Sequence, residues 1–470
     1  MAVRFILNGT PVRVDHVDPH MSLLAWLRAS GRTGTKEGCA EGECGACAVA
    51  LLRSDAFGRA QLAPINSCLL PMPAVDGQSI VSVEGIASGD ALHPVQQAMI
   101  EQAGSQCGYC TPGFVISMYC EYYRRERDGY DPEAIAGNLC RCTGYRPIAS
   151  ALRSLPLPAA LDPVQRSLAT TPPALGVVQH ESNGRVFLRP TGLSELFDDM
   201  AQFPNATLIA GGTDLMVYVN QRDQRYDALI ALDALPELQR FVANEREIVI
   251  GAGLPLSHVE ARLEQSAPEA HLLAQLWPLF SSRLIRNRAT LGGNLGTASP
   301  IGDSPPALLA LDAELTIVSV EGERRMPLRE FFVGYRQTAL ARGELIASVH
   351  IPRPLPRIQH FYKASKRRLD DISTVAAAFA LDLAPDRTIE RLRIAYGGIA
   401  ATPLRATRVE QAALGKSWNA TTLARLLPEL EQLGTPMSDF RGSRAYRRAL
   451  IGKLFEKFFA ETASLAEAAE

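Results

Sequence analysis

Cysteine is the residue type of this chain whose positions most clearly indicate chemistry. All nine cysteines fall in the first third of the sequence, and eight of them form two sets of four: Cys39, Cys44, Cys47 and Cys68, then Cys107, Cys110, Cys140 and Cys142. Four thiolates are the ligands that one structural zinc ion or one iron–sulfur cluster takes from a protein. The chain therefore has the ligands for two metal centres.

The spacing within the first set favours iron. It reads Cys-x4-Cys-x2-Cys with a distant fourth cysteine, which is the plant-type spacing for a 2Fe–2S cluster. The residues from Gly38 to Cys47 are mostly small, so the backbone can wrap around a compact inorganic core and its N–H groups can approach the sulfurs. In the second set, two close pairs of cysteines can each hold one iron of a second 2Fe–2S cluster.

Disulfides, zinc and inert buried thiols are the other possible uses of these cysteines. Disulfides need an oxidising compartment, but residues 1–25 have no signal-peptide pattern, so we expect a cytoplasmic protein with free thiols. Structural zinc usually pairs Cys-x2-Cys with Cys-x2-Cys. The spacing here fits that pattern poorly, yet zinc stays open as an alternative, more so for the second set. Cys120 lies in an apolar helical stretch and is expected in the core.

Composition and charge exclude several classes of protein. The formal net charge is −2 and the sequence pI is about 6.5, which argues against binding nucleic acid or a membrane surface. The longest apolar run, Val375–Leu383, is far shorter than the roughly 20 residues of a membrane helix. The histidines are scattered, so no metal site without thiolates is expected. The length of 470 residues suggests about three domains.

The first 85 residues have the pattern of a small β-grasp domain. Apolar residues alternate over residues 3–7 and 12–14 on either side of Asn8-Gly9, which predicts a β-hairpin with a type I′ turn. Leucines predict a short helix near residues 23–27, and Cys47–Leu52 reads as a strand. A hairpin, a helix, a cysteine loop and further strands are the parts of a ferredoxin-like unit.

Residues 86–155 have a helical pattern instead. Four short helices are predicted to begin at Pro94, Thr111-Pro112, Asp131-Pro132 and Pro147. Gly104 and Gly137 end the first and the third. Cysteines of the second set lie just before the starts at Thr111 and Pro147, where the helix dipole stabilises thiolates. We expect a four-helix domain that holds the second cluster.

The rest of the chain is predicted to contain a proline-rich linker and two further domains with alternating strands and helices. The predicted fold class is multidomain α+β, with these boundaries: β-grasp domain 1–85, helical domain 86–155, linker 156–185, α+β domain 186–354 and C-terminal α+β domain 355–470.

Two glycine-rich segments in the third domain could bind a nucleotide. Residues 208–215 and 290–294 each place adjacent glycines after an apolar stretch, where backbone N–H groups can cradle a pyrophosphate. Neither matches Gly-x-Gly-x-x-Gly, so a Rossmann site is not expected. Tight turns without a ligand remain the alternative. The basic run from Lys363 to Arg368 could steady a phosphate or be a solvated turn, and the same two interpretations apply to Arg283, Arg286 and Arg288.

Three cysteine motifs together resemble one protein family, the molybdenum hydroxylases. The motifs are Gly-Cys-x-Glu-Gly-x-Cys-Gly-Ala-Cys at 38–47, Gln-Cys-Gly-Tyr-Cys-Thr-Pro-Gly at 106–113 and Cys-Arg-Cys-Thr-Gly-Tyr at 140–145. The resemblance covers nearly the whole chain, in the order ferredoxin domain, helical cluster domain, flavin domain and small C-terminal domain. Within the family, the chain is most similar to the iron–sulfur and flavin subunit of bacterial xanthine dehydrogenases.

The resemblance implies a non-Rossmann FAD-binding domain over 186–354. The residues that it assigns to FAD are Leu208, Ile209, Ala210, Gly211, Gly212, Thr213, Asp214, Leu215, Phe280, Thr290, Leu291, Gly292, Gly293, Asn294, Asp303, Ile346 and Lys363. It places Tyr335 and Asp370 on the side where NAD⁺ docks. It implies two 2Fe–2S clusters and FAD in this chain, and no catalytic acid, base or nucleophile.

The resemblance also implies a partner. Single-chain members of the family continue into a molybdopterin domain, whereas this sequence stops at residue 470, so we expect that cofactor on a large subunit, in a heterotetramer of two chains of each kind. Purine oxidation there would send electrons through the Cys107 set, then the Cys39 set, to FAD and NAD⁺. No nucleic acid or membrane partner is expected.

Two alternative functions remain open. One is the same role in a relative that acts on aldehydes, carbon monoxide or N-heterocycles, although fusion of the cluster and flavin domains in one chain favours the purine enzyme. The other is a zinc-stapled scaffold that binds a nucleotide without catalysis.

Overall fold

The computed structural model describes residues 2–463, apart from 88, 90, 126–128, 160 and 161. The chain divides into two compact units. The first contains the chain up to Glu237 together with Pro255–His258 and Ser281–Thr290. The second contains Leu238–Leu254, Val259–Phe280 and the chain from Leu291 onward.

The first unit begins with a five-stranded β-grasp sheet in the order β2-β1-β5-β3-β4. Its elements are β1 Val3–Leu7, β2 Thr10–Val14, α1 Leu23–Ala29, β3 Ala48–Ser54, β4 Ala60–Asn66 and β5 Ser79–Val81. Asn8 and Gly9 have φ of 52° and 79°, as a type I′ turn requires. Leu23, Leu24 and Leu27 of α1 are buried, so the predicted hairpin and helix are confirmed.

A helical domain follows. Its elements are α2 Pro94–Glu101, α3 Thr111–Tyr122, a 3-10 helix Pro132–Ile135 and α4 Arg146–Ser154. Helix α3 is apolar around most of its circumference and lies in the core, with Cys120 buried as predicted. The third predicted helix is only the 3-10 helix Pro132–Ile135. Helix α2 ends before Gly104, its predicted end, because Ala103 already has a φ of 51°.

The predicted linker 156–185 is partly occupied by regular elements in the structure. It contains a one-turn helix, α5 Pro163–Ser167, and a strand, β6 Val178–Ser182. Strand β6 pairs with β7 Arg185–Arg189, so its last residues belong to the next sheet. That sheet has the order β6-β7-β9-β8, and its other strands are β8 Thr207–Ile209 and β9 Ala228–Ala231. The helices between these strands along the chain are α6 Leu193–Gln202 and α7 Leu215–Arg222.

The second unit contains an antiparallel five-stranded sheet in the order β10-β11-β16-β12-β13. Its strands are β10 Phe241–Ala243, β11 Glu247–Gly251, β12 Glu314–Ser319, β13 Gly322–Pro327 and β16 Leu345–Pro352, and a separate pair is β14 Phe332–Gly334 with β15 Gln337–Thr338. The helices of this stretch of chain are α8 Leu256–Ser266, α9 His271–Leu276, α10 Arg283–Arg286, α11 Leu291–Thr297 and α12 Ser304–Ala310. Of these, α10 belongs to the first unit.

The C-terminal domain is α+β, as predicted. Its sheet follows chain order, with β17 Ile358–Ala364, β18 Val375–Leu383, β19 Ile389–Gly397 and β20 Leu404–Arg405. Helices α13 Thr407–Ala413, α14 Ala420–Leu430 and α15 Arg444–Ala463 follow. The alanine-rich run Val375–Leu383 is the central strand β18 and lies in the core. None of the helices among the described residues is long and apolar enough to cross a membrane.

Six short 3-10 helices complete the described elements. They are Ser67–Leu69, Met72–Val75, Val83–Gly85, Pro236–Gln239, Trp277–Leu279 and Leu328–Glu330.

Candidate functional site

The first cysteine set converges at the end of the β-grasp sheet. Cys47 directly precedes β3, and Cys68 lies in the 3-10 helix after β4. Their sulfurs are 3.3 Å apart and both side chains are buried. Cys39 and Cys44 lie in the preceding loop, and the backbone N–H of each donates to the sulfur of the other at 3.3 Å. All four thiols are free of disulfides.

Hydrogen bonds within this set lower the pKa of the Cys39 and Cys47 thiols and raise the pKa of their partners Cys44 and Cys68. Hydrogen bonding from the Cys44 thiol, supported by backbone N–H groups such as that of Glu41, lowers the pKa of the Cys39 thiol to about 5. Gly38 leaves the space beside Cys44 open, because a Cβ there would lie 2.7 Å from the Cys44 sulfur. Four converging sulfurs, N–H donors and a loop without bulky side chains fit a 2Fe–2S cluster.

The second set converges at the edge of the helical domain. The Cys142 sulfur lies 3.7 Å from that of Cys107 and 3.8 Å from that of Cys140. Cys110 is the N-cap of α3, one residue before the predicted helix start at Thr111. Its thiol forms a hydrogen bond with the side chain of Cys140. Cys107 and Cys142 are exposed, whereas Cys140 is buried. This centre is therefore closer to solvent than the first.

Thr143 and Tyr145, which were not predicted as site residues, form hydrogen bonds with Cys140 of the second set. Burial opposes ionisation of Cys140, but hydrogen bonds from the Thr143 hydroxyl and N–H outweigh it and lower the pKa of the thiol to about 7. Tyr145 has a φ of 67° and accepts a hydrogen bond from the Cys140 N–H through its hydroxyl oxygen at 3.0 Å. Both lie in the motif 140–145, so the signal was present in the sequence.

Residues 208–215 form the turn between β8 and α7 in the first unit. Gly212 has a φ of 77°, which glycine adopts readily. Gly211 packs against the backbone of Arg288 and Ala289, and a Cβ on it would overlap the Arg288 carbonyl oxygen. The turn is therefore held close to the segment that leads into Thr290, which is buried.

Leu291–Asn294 were predicted as part of a glycine-rich turn but are helical in the structure. These residues form the first turn of α11 in the second unit. The Gly292 N–H donates to the Ala252 carbonyl oxygen at 3.0 Å, and a Cβ on Gly292 would lie 2.7 Å from the Ala252 Cβ. The Asn294 side-chain oxygen accepts a hydrogen bond from the Ser304 hydroxyl. The glycine therefore allows close packing against Ala252.

A buried ion pair connects two further predicted FAD residues of the second unit. Lys363 is part of β17, with its side chain 2% exposed, and its Nζ lies 2.8 Å from Asp303 Oδ2 and 2.7 Å from the Leu279 carbonyl oxygen. The Ser373 hydroxyl donates to the other Asp303 oxygen. Lys363 is thus not part of a solvated basic turn, whereas Lys366, Arg367 and Arg368 are exposed.

The other predicted residues are distributed over the second unit. Phe280 and Ile346 are buried, the former beside the ring of Trp277 and the latter in β16. Tyr335 is 61% exposed between β14 and β15. Asp370 is buried with a φ of 49°. These four residues come from separate segments, and their grouping as a cofactor site stays a prediction.

The arginines near residue 285 are ion-paired within the first unit. Arg283 contacts Glu121 at 3.2 Å and also pairs with Asp131, and Arg286 pairs with Glu133. Arg288 lies 3.6 Å from Asp233. The first two arginines therefore join α10 to the helical domain.

Four family models match the chain in succession. They describe a 2Fe-2S iron-sulfur cluster binding domain at residues 5–72, a 2Fe-2S binding domain at 82–153, the FAD binding domain in molybdopterin dehydrogenase at 180–354 and the CO dehydrogenase flavoprotein C-terminal domain at 360–462. The chain belongs to the molybdenum hydroxylase family. Both cysteine sets thus lie in iron–sulfur domains of this family.

Curated members of the family align along almost the entire chain. Xanthine dehydrogenase of Emericella nidulans is 33% identical over 99% of this chain, and that of Drosophila subobscura is 34% identical over 99%. Xanthine dehydrogenase 1 of Arabidopsis thaliana is 33% identical over 94%. The chain spans about two fifths of the length of these relatives, 38% or 39% in each case.

Solved molybdenum hydroxylase structures match a smaller part of the chain. Quinoline 2-oxidoreductase from Pseudomonas putida 86 has a TM-score of 0.54 and 26% identity, and covers 59% of this chain and 96% of its own. Carbon monoxide dehydrogenase from Hydrogenophaga pseudoflava has the same TM-score and identity, covering 60% and 96%. The chain is the iron–sulfur and flavin portion of a molybdenum hydroxylase.

Proposed function

We propose that the chain is the electron-transfer subunit of a xanthine dehydrogenase. A partner subunit with molybdopterin would oxidise hypoxanthine and xanthine to urate, and the electrons would leave through this chain to NAD⁺. The observation that carries the proposal is coverage: the xanthine dehydrogenases align over 94–99% of the chain, whereas quinoline and carbon monoxide enzymes match about 60%.

The two cysteine sets would hold 2Fe–2S clusters, and FAD would bind to the domain at residues 180–354, with the turn 208–215 among its contacts. When bound, the clusters would carry single electrons, and FAD would collect two of them together with a proton before transfer to NAD⁺. The task of the protein is to hold the thiolates, orient the flavin and limit access of water. Tyr335 and Asp370 remain the proposed NAD⁺ side, and the chain supplies no acid, base or nucleophile.

The assembly belongs to the same proposal. We propose a heterotetramer of two copies of this chain and two molybdopterin-bearing subunits, in the cytoplasm, where cysteine ligands stay reduced. Light scattering of the copurified complex gives its mass, and a mass that corresponds to one copy of each chain would contradict the stoichiometry.

Substrate turnover by the copurified complex tests the function. We expect iron and flavin absorption in the visible spectrum, and NADH formation with hypoxanthine and xanthine. Aldehydes, carbon monoxide and quinoline should give little or none. Turnover of one of these instead of purines would assign the chain to another branch of the family, and activity with O₂ but not NAD⁺ would contradict the proposed acceptor.

A colourless preparation that contains zinc and no iron would contradict the electron-transfer role altogether. It would support the nucleotide-binding scaffold instead.

A further inference from the structure

The loops that carry the two cysteine sets meet directly within the first unit. The Leu139 N–H donates to the Cys44 carbonyl oxygen at 3.0 Å. Cys44 is a ligand in the first set, and Leu139 immediately precedes Cys140, a ligand in the second. One hydrogen bond therefore joins the two ligands, and the rest of the connection consists of covalent bonds.

Two glycines, Gly45 and Gly113, make this approach possible. Gly45 has a φ of 65°, and a Cβ on it would overlap the Gly137 carbonyl oxygen. A Cβ on Gly113 would overlap the Gly45 carbonyl oxygen in turn. The backbones of the two cluster-binding domains are thus in contact at a point where no side chain fits.

The side chain of Asn138 holds this contact together. It is 1% exposed, its Nδ2 donates to the Gly45 carbonyl oxygen at 3.0 Å, and its Oδ1 accepts from the Ser117 hydroxyl at 2.7 Å. Ser117 belongs to α3, whose N-cap is the ligand Cys110. A single buried amide therefore connects segments that carry ligands of both sets.

We propose that Asn138 is a positioning residue for electron transfer between the two clusters. By binding Gly45 and Ser117, its amide keeps the Leu139–Cys44 hydrogen bond formed. The inference rests on the proposed electron-transfer function. Each transfer moves one electron from the cluster that one cysteine set would hold to the cluster of the other set, so that the first is oxidised and the second is reduced. No covalent bond is made or broken, and substrate oxidation on the partner supplies the electron.

The variant Asn138→Asp tests this in the holoenzyme complex. It keeps the shape and the acceptor for Ser117, but it replaces the N–H donor with an oxygen that faces the Gly45 carbonyl oxygen, which is unfavourable. We expect full iron content and a weaker magnetic interaction between the two reduced clusters in electron paramagnetic resonance spectra. Electron delivery to the flavin should slow by about 10- to 100-fold, the usual effect of losing an outer-shell partner.

Asn66→Asp is the matched control. Asn66, the last residue of β4, is also a buried asparagine beside the first set. Its Nδ2 donates to the Gly42 carbonyl oxygen at 3.2 Å and lies 3.8 Å from the Cys47 sulfur, so both contacts stay within the β-grasp domain. We expect this variant to keep the magnetic interaction between the clusters.

A second variant decides the question if Asn138→Asp binds no iron. Ser117→Ala removes the anchor of the amide to α3 and leaves its bond to Gly45, so we expect a smaller weakening of the same interaction. Wild-type magnetic interaction and wild-type electron delivery in an iron-replete Asn138→Asp, or in Ser117→Ala if that variant must be used, would overturn the inference. Absence of iron or flavin from the wild-type protein would overturn the proposed function instead.

Discussion

At the scale of single residues, Gly211 has no room for a side chain because it packs against the Arg288 carbonyl oxygen. We expect Gly211→Ala to displace the turn 208–215 and to reduce bound FAD, while both clusters remain. Gly296→Ala is the control, because a Cβ on Gly296 would point into open space and this variant should keep its flavin. The ratio of flavin to iron in the purified proteins measures the effect, and equal ratios in both variants would contradict this role of the turn.

Cys107 and Cys120 differ in what their sulfurs contact. The Cys107 sulfur is exposed and 3.7 Å from that of Cys142, whereas Cys120 is buried in the core. We expect Cys107→Ala to lose about half of the iron, because each set supplies one cluster, and to abolish NADH formation while substrate still reduces the partner. Cys120→Ala should keep its iron. NADH formation at the wild-type rate in Cys107→Ala would contradict a relay through this set.

At the scale of elements, α10 is joined to the helical domain by Arg283. Its guanidinium contacts Glu121, whose side chain is 1% exposed, and pairs with Asp131. Without Arg283, the Glu121 carboxylate still pairs with Arg124 at 3.0 Å, so the change removes charged hydrogen bonds, which typically contribute about 1.5–3 kcal/mol, and leaves no orphaned buried charge. We therefore expect Arg283→Met to lower the free energy of unfolding by about 1.5–3 kcal/mol.

Arg13→Met is the surface control for this prediction. The Arg13–Asp15 pair is largely exposed, and such surface pairs contribute little to stability because solvent screens them. Denaturant unfolding followed by circular dichroism compares the two variants. Equal midpoints would show that the Arg283 pairs contribute little more than a surface pair.

At the scale of the whole molecule, the chain contains the domains for both clusters and for FAD. Under the proposed function, electron transfer among these groups would need no partner. We expect anaerobic NADH to bleach the visible absorption of both flavin and clusters in the purified chain alone, without any purine turnover. Addition of the molybdopterin subunit should restore turnover. Flavin reduction without cluster reduction would contradict electron transfer within the chain.

Local patterns predicted the parts of the fold in which neighbouring residues decide the conformation. Asn8-Gly9 specifies its turn because both residues tolerate positive φ, and the leucines of α1 specify the buried face of that helix. The predicted start of a helix at Asp131 was wrong in kind, since only one 3-10 turn forms there. The linker was predicted too long because the pairing of β6 with β7 depends on residues outside the proline-rich stretch.

The sequence alone favoured iron–sulfur chemistry over zinc for the first set, because cysteine spacing limits which thiolates can reach one metal centre. It also identified the family through motifs whose residues are contiguous. Only the tertiary structure decided where Lys363 lies and what Gly292 packs against, since a buried ion pair and a close backbone contact join residues far apart in the chain. The same reason applies to Asn138, whose partners Gly45 and Ser117 come from two other segments.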